Sequence, residues 1–189
     1  MTTVFLMVIA YLLGSLSPAY LIGRLMANID IREHGSGNAG TTNVMRLLGP
    51  KVAVLVLFLD LLKGVVAVLI GRYFGNELMA GICGLLAVIG HNWPIMLGFK
   101  GGKGVATTMG VGLTINLPVS LMCIGLAIII IGVTRYVSLA SITLIPVWTV
   151  MISLYGNESS HIFLGVVLSI LSIYRHRENI LRILHGNES

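Results

Sequence analysis

Charge is scarce in this chain. Of 189 residues only 10% are Asp, Glu, Lys or Arg, against about 25% in ordinary soluble domains. So few charges cannot cover the surface of a water-soluble fold of this length, which excludes a soluble enzyme. Acidic residues are scarcer than basic ones, seven against twelve, leaving a formal net charge of +5. Cysteine is nearly absent too. Cys83 and Cys123 both lie inside apolar runs, read as small buried hydrophobes, and give no disulfide pair, thiolate metal site or redox role. No cluster of His, Cys, Asp and Glu at metal-ligand spacing, no low-complexity tail and no long linker is present. The first charge is Arg24, with neither a basic stretch nor a small-residue cleavage site before it. The N-terminal apolar stretch therefore reads as a retained span and not a signal peptide.

What is abundant is apolar. Hydrophobic residues make up 56% of the chain and the mean hydropathy is +0.96, the composition of a membrane protein. The charges cut the chain into long apolar runs from Thr2 to Gly23, Val52 to Gly71, Leu78 to Phe99, Gly104 to Thr134, Tyr136 to Asn157 and Ser159 to Tyr174. The fourth run decides the topology. Its 31 residues make about 46 Å of helix, too long for one crossing of a hydrocarbon core of about 30 Å and too short for two full ones. Asn116 and Pro118, in its middle, favour a turn.

If the run crosses once, Arg135, Arg175, Arg177 and Arg182 fall on the outer side, against the tendency of basic loops to stay in the cytoplasm. If it crosses twice, they join Arg24, Arg32, Arg46, Lys51, Lys100 and Lys103 inside, leaving only Arg72 outside and Lys63 within a span. The sequence thus predicts an all-α polytopic integral membrane helix bundle. It has seven transmembrane helices, the N-terminus outside and the C-terminus cytoplasmic, in one domain over residues 1–189. Some spans are short, implying tilt, local thinning or helices that begin inside protein-lined cavities. The polar segments Arg24–Lys51, Phe99–Thr108, Arg135–Ser141 and Arg175–Gly186 then converge on the cytoplasmic face. The outer connections near Arg72–Glu77, Asn116–Pro118 and Gly156–Ser160 are short and chemically sparse.

Two cytoplasmic segments suit anions. His34 to Arg46 reads His-Gly-Ser-Gly-Asn-Ala-Gly-Thr-Thr-Asn-Val-Met-Arg. Gly35, Gly37 and Gly40 formally satisfy a dinucleotide-binding G-x-G-x-x-G, but no strand precedes them, so a Rossmann unit is excluded. What remains is flexible backbone, hydroxyl and amide groups on Ser36, Asn38, Thr41, Thr42 and Asn43, and the forked cation of Arg46. Gly98 to Thr108 reads Gly-Phe-Lys-Gly-Gly-Lys-Gly-Val-Ala-Thr-Thr and runs straight into an apolar helix. Its glycines free backbone N–H groups, Lys100 and Lys103 add charge, and the helix N-terminus adds its dipole. Gly104 stands where a Walker A loop carries Ser or Thr, which argues against a nucleotidase. The competing readings are a plain polar loop and a glycine turn whose lysines serve topology alone.

A third cluster joins Ser138 and Ser141, after Arg135, to Arg175-His176-Arg177-Glu178-Asn179. Topology alone explains its arginines, and Glu178 is placed to pair with Arg175 or Arg182 at helical spacing. His176 nonetheless is a group that can carry a proton near neutral pH, and Asn179 shares its helix face. Asp60 and Lys63 stand mid-membrane at i, i+3 and read as an internal ion pair fixing helix packing. His91, Asn92, Trp93 and Pro94 lie next to the glycine loop in sequence and are candidates to orient it. His161 is expected at the outer interface, while Trp93 and Trp148 serve packing or interfacial anchoring. Two anion-friendly loops and a histidine cluster at a lipid boundary point to chemistry joining phosphate-bearing substrates to a lipid.

Three stretches carry a family resemblance: Gly35–Arg46, Gly98–Thr107 and the Tyr-Arg-His-Arg-Glu-Asn-Ile of Tyr174–Ile180. In order and spacing, with Ser-Leu-Ala-Ser at Ser138–Ser141 between them, they resemble the three motifs of the bacterial acyl-phosphate:glycerol-3-phosphate acyltransferases over essentially the whole chain. The resemblance implies a seven-helix membrane enzyme of the bacterial cytoplasmic membrane, acting at the cytoplasmic face. It would acylate glycerol 3-phosphate at position 1 from acyl-phosphate, not acyl-CoA or acyl carrier protein, to give lysophosphatidic acid. No His-x-x-x-x-Asp acyltransferase motif is present: Ala39, Met96, Val166 and Leu181 follow His34, His91, His161 and His176 at that spacing.

The resemblance assigns Ser36, Lys103, His176 and Asn179 to the catalytic set. It assigns Asn38, Thr42, Arg46, Gly98, Lys100, Gly101, Gly102, Gly104, Thr107 and Ser141 to substrate binding, and Glu178 to a structural role. On this reading Gly101, Gly102 and Gly104 hold the acyl-phosphate by backbone N–H groups, while Arg46, Lys103, Thr42, Ser141 and Asn179 grip glycerol 3-phosphate. His176 or a substrate phosphate oxygen accepts the proton. The expected partners are the two substrates and the bilayer; no cofactor, metal or nucleic acid is called for. The alternative is a transporter or flippase of a phosphorylated solute or lipid. It would need polar groups lining both membrane halves and an inverted repeat, neither of which the sequence offers.

Overall fold

In a computed structural model of the chain, residues 2–155 and 158–188 are described. Gly156 and Asn157, in the expected outer connection Gly156–Ser160, lie outside them, as do Met1 and Ser189. Among the described residues all regular structure is helical. In chain order the helices are α1 (Thr2–Ser15), α2 (Pro18–Ala27), α3 (Thr41–Leu48), α4 (Pro50–Phe74), α5 (Glu77–Asn92), α6 (Val105–Ile115), α7 (Leu117–Thr134), α8 (Val137–Leu154), α9 (Ser159–Arg175) and α10 (Arg177–Leu184). Single turns of 3₁₀ helix stand at Ile31–Glu33 and Ile95–Leu97. Among the described residues five stretches are long and apolar enough to cross a membrane: Thr3–Ala27, Pro50–Phe74, Glu77–Leu97, Leu117–Thr134 and Val137–Leu154. Val105–Ile115 and Ser159–Arg175 are apolar but shorter.

The long fourth run does break at Asn116, whose side chain accepts from Val119 N–H at 3.1 Å and caps α7 just before Pro118. A second break falls inside the first run. Ser17 accepts from Tyr20 N–H at 3.4 Å and Pro18 opens α2, so the N-terminal apolar stretch is two helices and not one. Ser-Pro is a helix-start pair, with proline placed where no N–H is needed.

The chain divides into two compact units, Met1–Val111 and Gly112–Ser189. In the first, α5 packs on α1 and α4, and α3 packs on α4. Gly14 of α1 and Gly90 of α5 lie so close to the backbone of the facing helix, at Ala87 and Tyr11, that any Cβ would collide with a carbonyl oxygen. Gly64 and Gly110 do the same where α4 meets α6, against the carbonyls of Thr107 and Leu61. Small residues let membrane helices approach in this way where apolar burial gives little drive.

The break between α1 and α2 leaves carbonyls that lipid cannot satisfy. Lys63 satisfies them, donating to Gly14 O at 3.0 Å and Leu16 O at 2.9 Å. Its ammonium also lies 2.8 Å from Asp60 Oδ1 and 2.7 Å from His91 Nδ1, and all three side chains are buried. The mid-membrane pair is thus the internal ion pair the sequence suggested, extended to His91 and to the end of α1.

In the second unit α8 packs between α7 and α9. Trp148 donates to Ser120 Oγ at 2.9 Å, a packing role with its polar edge satisfied. Cys83 and Cys123 are free and buried, as small hydrophobes. His161, expected at the interface, is buried in the first turn of α9.

Candidate active site

The first motif loop is built on Asp30 and Asn43. Asp30 accepts from Arg32 N–H at 3.0 Å and, through both carboxylate oxygens, from Arg32 Nε at 3.0 Å and Nη2 at 2.8 Å. That bidentate contact, followed by the Arg32 backbone N–H and the charges of Arg32 and Arg24, holds the Asp30 carboxyl at about 2, well below its ordinary 3.8. Arg24 and Arg32 also stack on Tyr20, 5.5 and 5.1 Å from the ring centroid. Asn43, fully buried in the first turn of α3, donates to Ile31 O at 2.9 Å and His34 O at 3.0 Å and accepts from Ser36 N–H at 2.9 Å. One amide thereby fixes the loop carrying Ser36. Ser36, Thr42 and Arg46 are exposed and Asn38 is half-buried.

The second loop is pinned on three sides. Tyr11 donates to Trp93 O at 2.8 Å, and Arg32 Nη1 reaches from the first loop to Leu97 O at 2.8 Å. Gly101 N–H donates to Asn92 O at 3.3 Å and Gly102 N–H to His91 O at 3.1 Å. Both N–H groups meet the carbonyl end of α5. A Cβ on Gly102 would strike the His91 imidazole and lie 2.9 Å from Ala39 O of the first loop. Gly104, at φ +79°, would bring a Cβ within 2.6 Å of Asn92 Oδ1. The glycines are required because the loop lies flat on α5, so His91 and Asn92 do orient it. Gly98 and Lys100 are exposed, and Lys103 is half-buried.

Thr107, one turn into α6, is fully buried, and its Oγ1 has no hydrogen-bond partner among the described residues. The Asn92 side chain, 1% exposed, is in the same condition at both amide atoms. Such groups are rare in native proteins. Nothing in the sequence marked Asn92 as more than a loop neighbour.

The second unit holds the remaining three residues. His176 is buried, and its Nδ1 lies 2.8 Å from Ser172 O. A carbonyl only accepts, so Nδ1 carries a proton in this contact. Asn179 Nδ2 donates to Ser138 Oγ at 2.8 Å and to Glu188 Oε1 at 2.7 Å. Ser141 does not join them; its hydroxyl donates to Val137 O of its own helix at 2.9 Å. Glu188 also accepts from Ser138 Oγ and from Arg182 Nε at 2.8 Å. Burial opposes its charge, yet the hydrogen bonds from Ser138, Asn179 and Arg182 outweigh it and hold the carboxyl below its ordinary value. Glu178 is exposed and faces Arg177 at 3.8 Å. Among the described residues no group of three His, Cys, Asp or Glu could hold a metal ion.

The glycerol-3-phosphate acyltransferase family model matches residues 4–186. A glycerol-3-phosphate acyltransferase of Alkaliphilus metalliredigens is 45% identical over 188 residues, covering 100% of this chain and 95% of its own length. The Clostridioides difficile protein of the same name is 42% identical over 190 residues, covering 96% of this chain and 91% of its own. Two solved structures of PlsY (YgiH), an integral membrane glycerol 3-phosphate acyltransferase, superpose on the whole chain and on 95% of their own. The glycerol 3-phosphate form has a TM-score of 0.95 at 43% identity. The form with lysophosphatidic acid has 0.93 at 42%.

Proposed function

Because the chain belongs to the glycerol-3-phosphate acyltransferase family, we propose that it moves a fatty acyl group from acyl-phosphate to the sn-1 hydroxyl of glycerol 3-phosphate. The products are lysophosphatidic acid and inorganic phosphate, a step in phospholipid synthesis. The observation that carries this reading is the interlocking of the two anion-suited loops in the first unit, through Arg32 on Leu97 and Gly102 against Ala39. These contacts tie the start of the second loop to the first.

The hydroxyl oxygen attacks the acyl carbonyl carbon, the bond from that carbon to the phosphate oxygen breaks, and phosphate departs with the electron pair. Acyl-phosphate is an activated mixed anhydride, so positioning and charge stabilisation supply most of the acceleration, with no covalent intermediate. Since the Gly101 and Gly102 N–H groups serve α5, phosphate contact falls to the first-turn N–H groups of α6, with Gly104 allowing close approach and Gly98 the turn, helped by Lys100 and Lys103. Ser36, Asn38, Thr42 and Arg46 offer hydroxyls, an amide and a forked cation to glycerol 3-phosphate. Thr107, one turn into α6, adds a buried hydroxyl. In the second unit Asn179 and Ser141 bind substrate, and His176 Nε2 takes the hydroxyl proton, with Nδ1 turned to Ser172 O.

The whole chain acts as one acyltransferase domain. We further propose seven spans, with the short helices α6 and α9 completing the five long stretches, an outer N-terminus and a cytoplasmic C-terminus. The enzyme then sits in the bacterial cytoplasmic membrane with its motifs facing the cytoplasm, as the distribution of Lys and Arg favours. Purified protein given palmitoyl phosphate and glycerol 3-phosphate, without metal, tests the reading. Lysophosphatidic acid is expected, and none is expected when palmitoyl-CoA replaces the acyl-phosphate.

A further inference from the structure

Residues 186–188 fold back onto a motif residue. Helix α10 closes at Gly186, which takes the left-handed conformation at φ +69°. Gly186 N–H donates to Ile183 O at 3.1 Å, and Asn187 N–H to Arg182 O at 2.8 Å. This pair of bonds is the Schellman closure, in which a glycine reverses the chain at a helix end. Here the reversal lays Glu188 along α10, its side chain only 4% exposed. Its carboxylate meets the Ser138 hydroxyl, the Asn179 amide at 2.7 Å and the Arg182 guanidinium at 2.8 Å. A hydroxyl, an amide and a guanidinium converging on paired oxygens suit any phosphate or carboxylate equally well.

We infer that Ser138, Asn179 and Arg182 form a binding site for a phosphate group, and that Glu188 is an intramolecular competitor that fills this site until ligand displaces it. The inference rests on the proposed function in one respect, the part Asn179 takes in holding substrate. Self-occupancy lowers apparent affinity by the fraction of molecules left open. If the tail is docked in half to nine-tenths of them, its removal lowers the apparent KM about two- to tenfold. Turnover at saturation is unchanged, because saturating ligand displaces the tail in any case.

The test compares the parent enzyme with Glu188→Ala in nanodiscs of zwitterionic lipid, measuring KM for glycerol 3-phosphate and kcat. The expected result is a lower KM at equal kcat. A KM that is unchanged or higher overturns the inference. Gly186→Ala serves as a second variant. It leaves Glu188 in place but strains the left-handed turn, with open space around the new methyl, and the same fall in KM is expected. Calorimetric titration with inorganic phosphate is independent of turnover. Tighter binding to Glu188→Ala supports the site even if the acyltransferase reading fails, and equal binding overturns it even if that reading stands. Repeating the kinetics with anionic lipid added separates the two sources of phosphate. A KM difference that persists assigns the site to the soluble ester. A difference that anionic lipid abolishes assigns it to lipid headgroups.

Discussion

Replacing Lys63 by methionine is the sharpest perturbation of the membrane-embedded part. The ammonium has four contacts: Asp60 Oδ1, His91 Nδ1 and the carbonyls of Gly14 and Leu16, all within 3.0 Å. Lys63→Met leaves Asp60, 1% exposed, as a buried carboxylate whose remaining partner is His91 Nδ1 at 3.2 Å. Breaking one side of such a pair costs about 3–5 kcal/mol. For a chain of this size that corresponds to a fall of about 6–20 °C in Tm, at roughly 2–4 °C per kcal/mol. Adding Asp60→Asn removes the stranded charge, while the loss of a donor at Gly14 and Leu16, about 1–3 kcal/mol for each unpaired carbonyl, is common to both variants and adds to the fall in each. The double variant is therefore expected to melt between the parent and Lys63→Met. The assay is thermal unfolding of detergent-purified protein, followed by intrinsic fluorescence. Equal melting of parent and Lys63→Met refutes the account of the network. A double variant no more stable than the single one refutes the assignment of the main cost to Asp60.

Other expectations follow from the two loops and the histidine. Gly102→Ala drives a methyl into His91 and Ala39 O; a shift near 1 Å at the loop is expected to cost about a hundredfold in kcat/KM, with the protein still monodisperse by size exclusion. The Asp30 carboxyl lies at about 2 in the folded chain against an ordinary 3.8, worth on the order of 2 kcal/mol at 1.36 kcal/mol per pH unit. Because the folded value is depressed, this stabilisation is complete above about pH 4 and is lost as pH falls toward 2. Asp30→Asn is thus expected to be less stable than the parent at pH 7, with the gap closing on acidification in thermal melts. His176→Gln is expected to lower kcat about a hundredfold or more with little change in Tm.

Much of the helical architecture is legible locally. Asn116 and Pro118 announce the break in the fourth run because capping and the missing proline N–H act within one turn. The same grammar stands at Ser17-Pro18, but an unbroken apolar run concealed it, since hydropathy does not register a helix boundary. The partners of Lys63 are not legible: Gly14 and Leu16 lie 49 and 47 residues away, and only packing joins them. Sequence distance also hides the grip of Arg32 on Leu97, 65 residues apart. Gly101 and Gly102 show the limit of composition. Glycine between lysines suits an anion cradle and a tight turn equally, and composition does not show that the carbonyls of His91 and Asn92 stand opposite these N–H groups. Asn179 stood out through its motif and Ser138 through its cluster, whereas Glu188 gains meaning only once the Gly186 reversal brings it to them.

The central claim is tested most directly by supplying purified, folded protein with radiolabelled glycerol 3-phosphate and palmitoyl phosphate in the absence of metal, and separating the lipid products. The account predicts labelled lysophosphatidic acid from palmitoyl phosphate, and none when palmitoyl-CoA is the donor. Absence of product from palmitoyl phosphate, in a preparation that melts cooperatively, contradicts it.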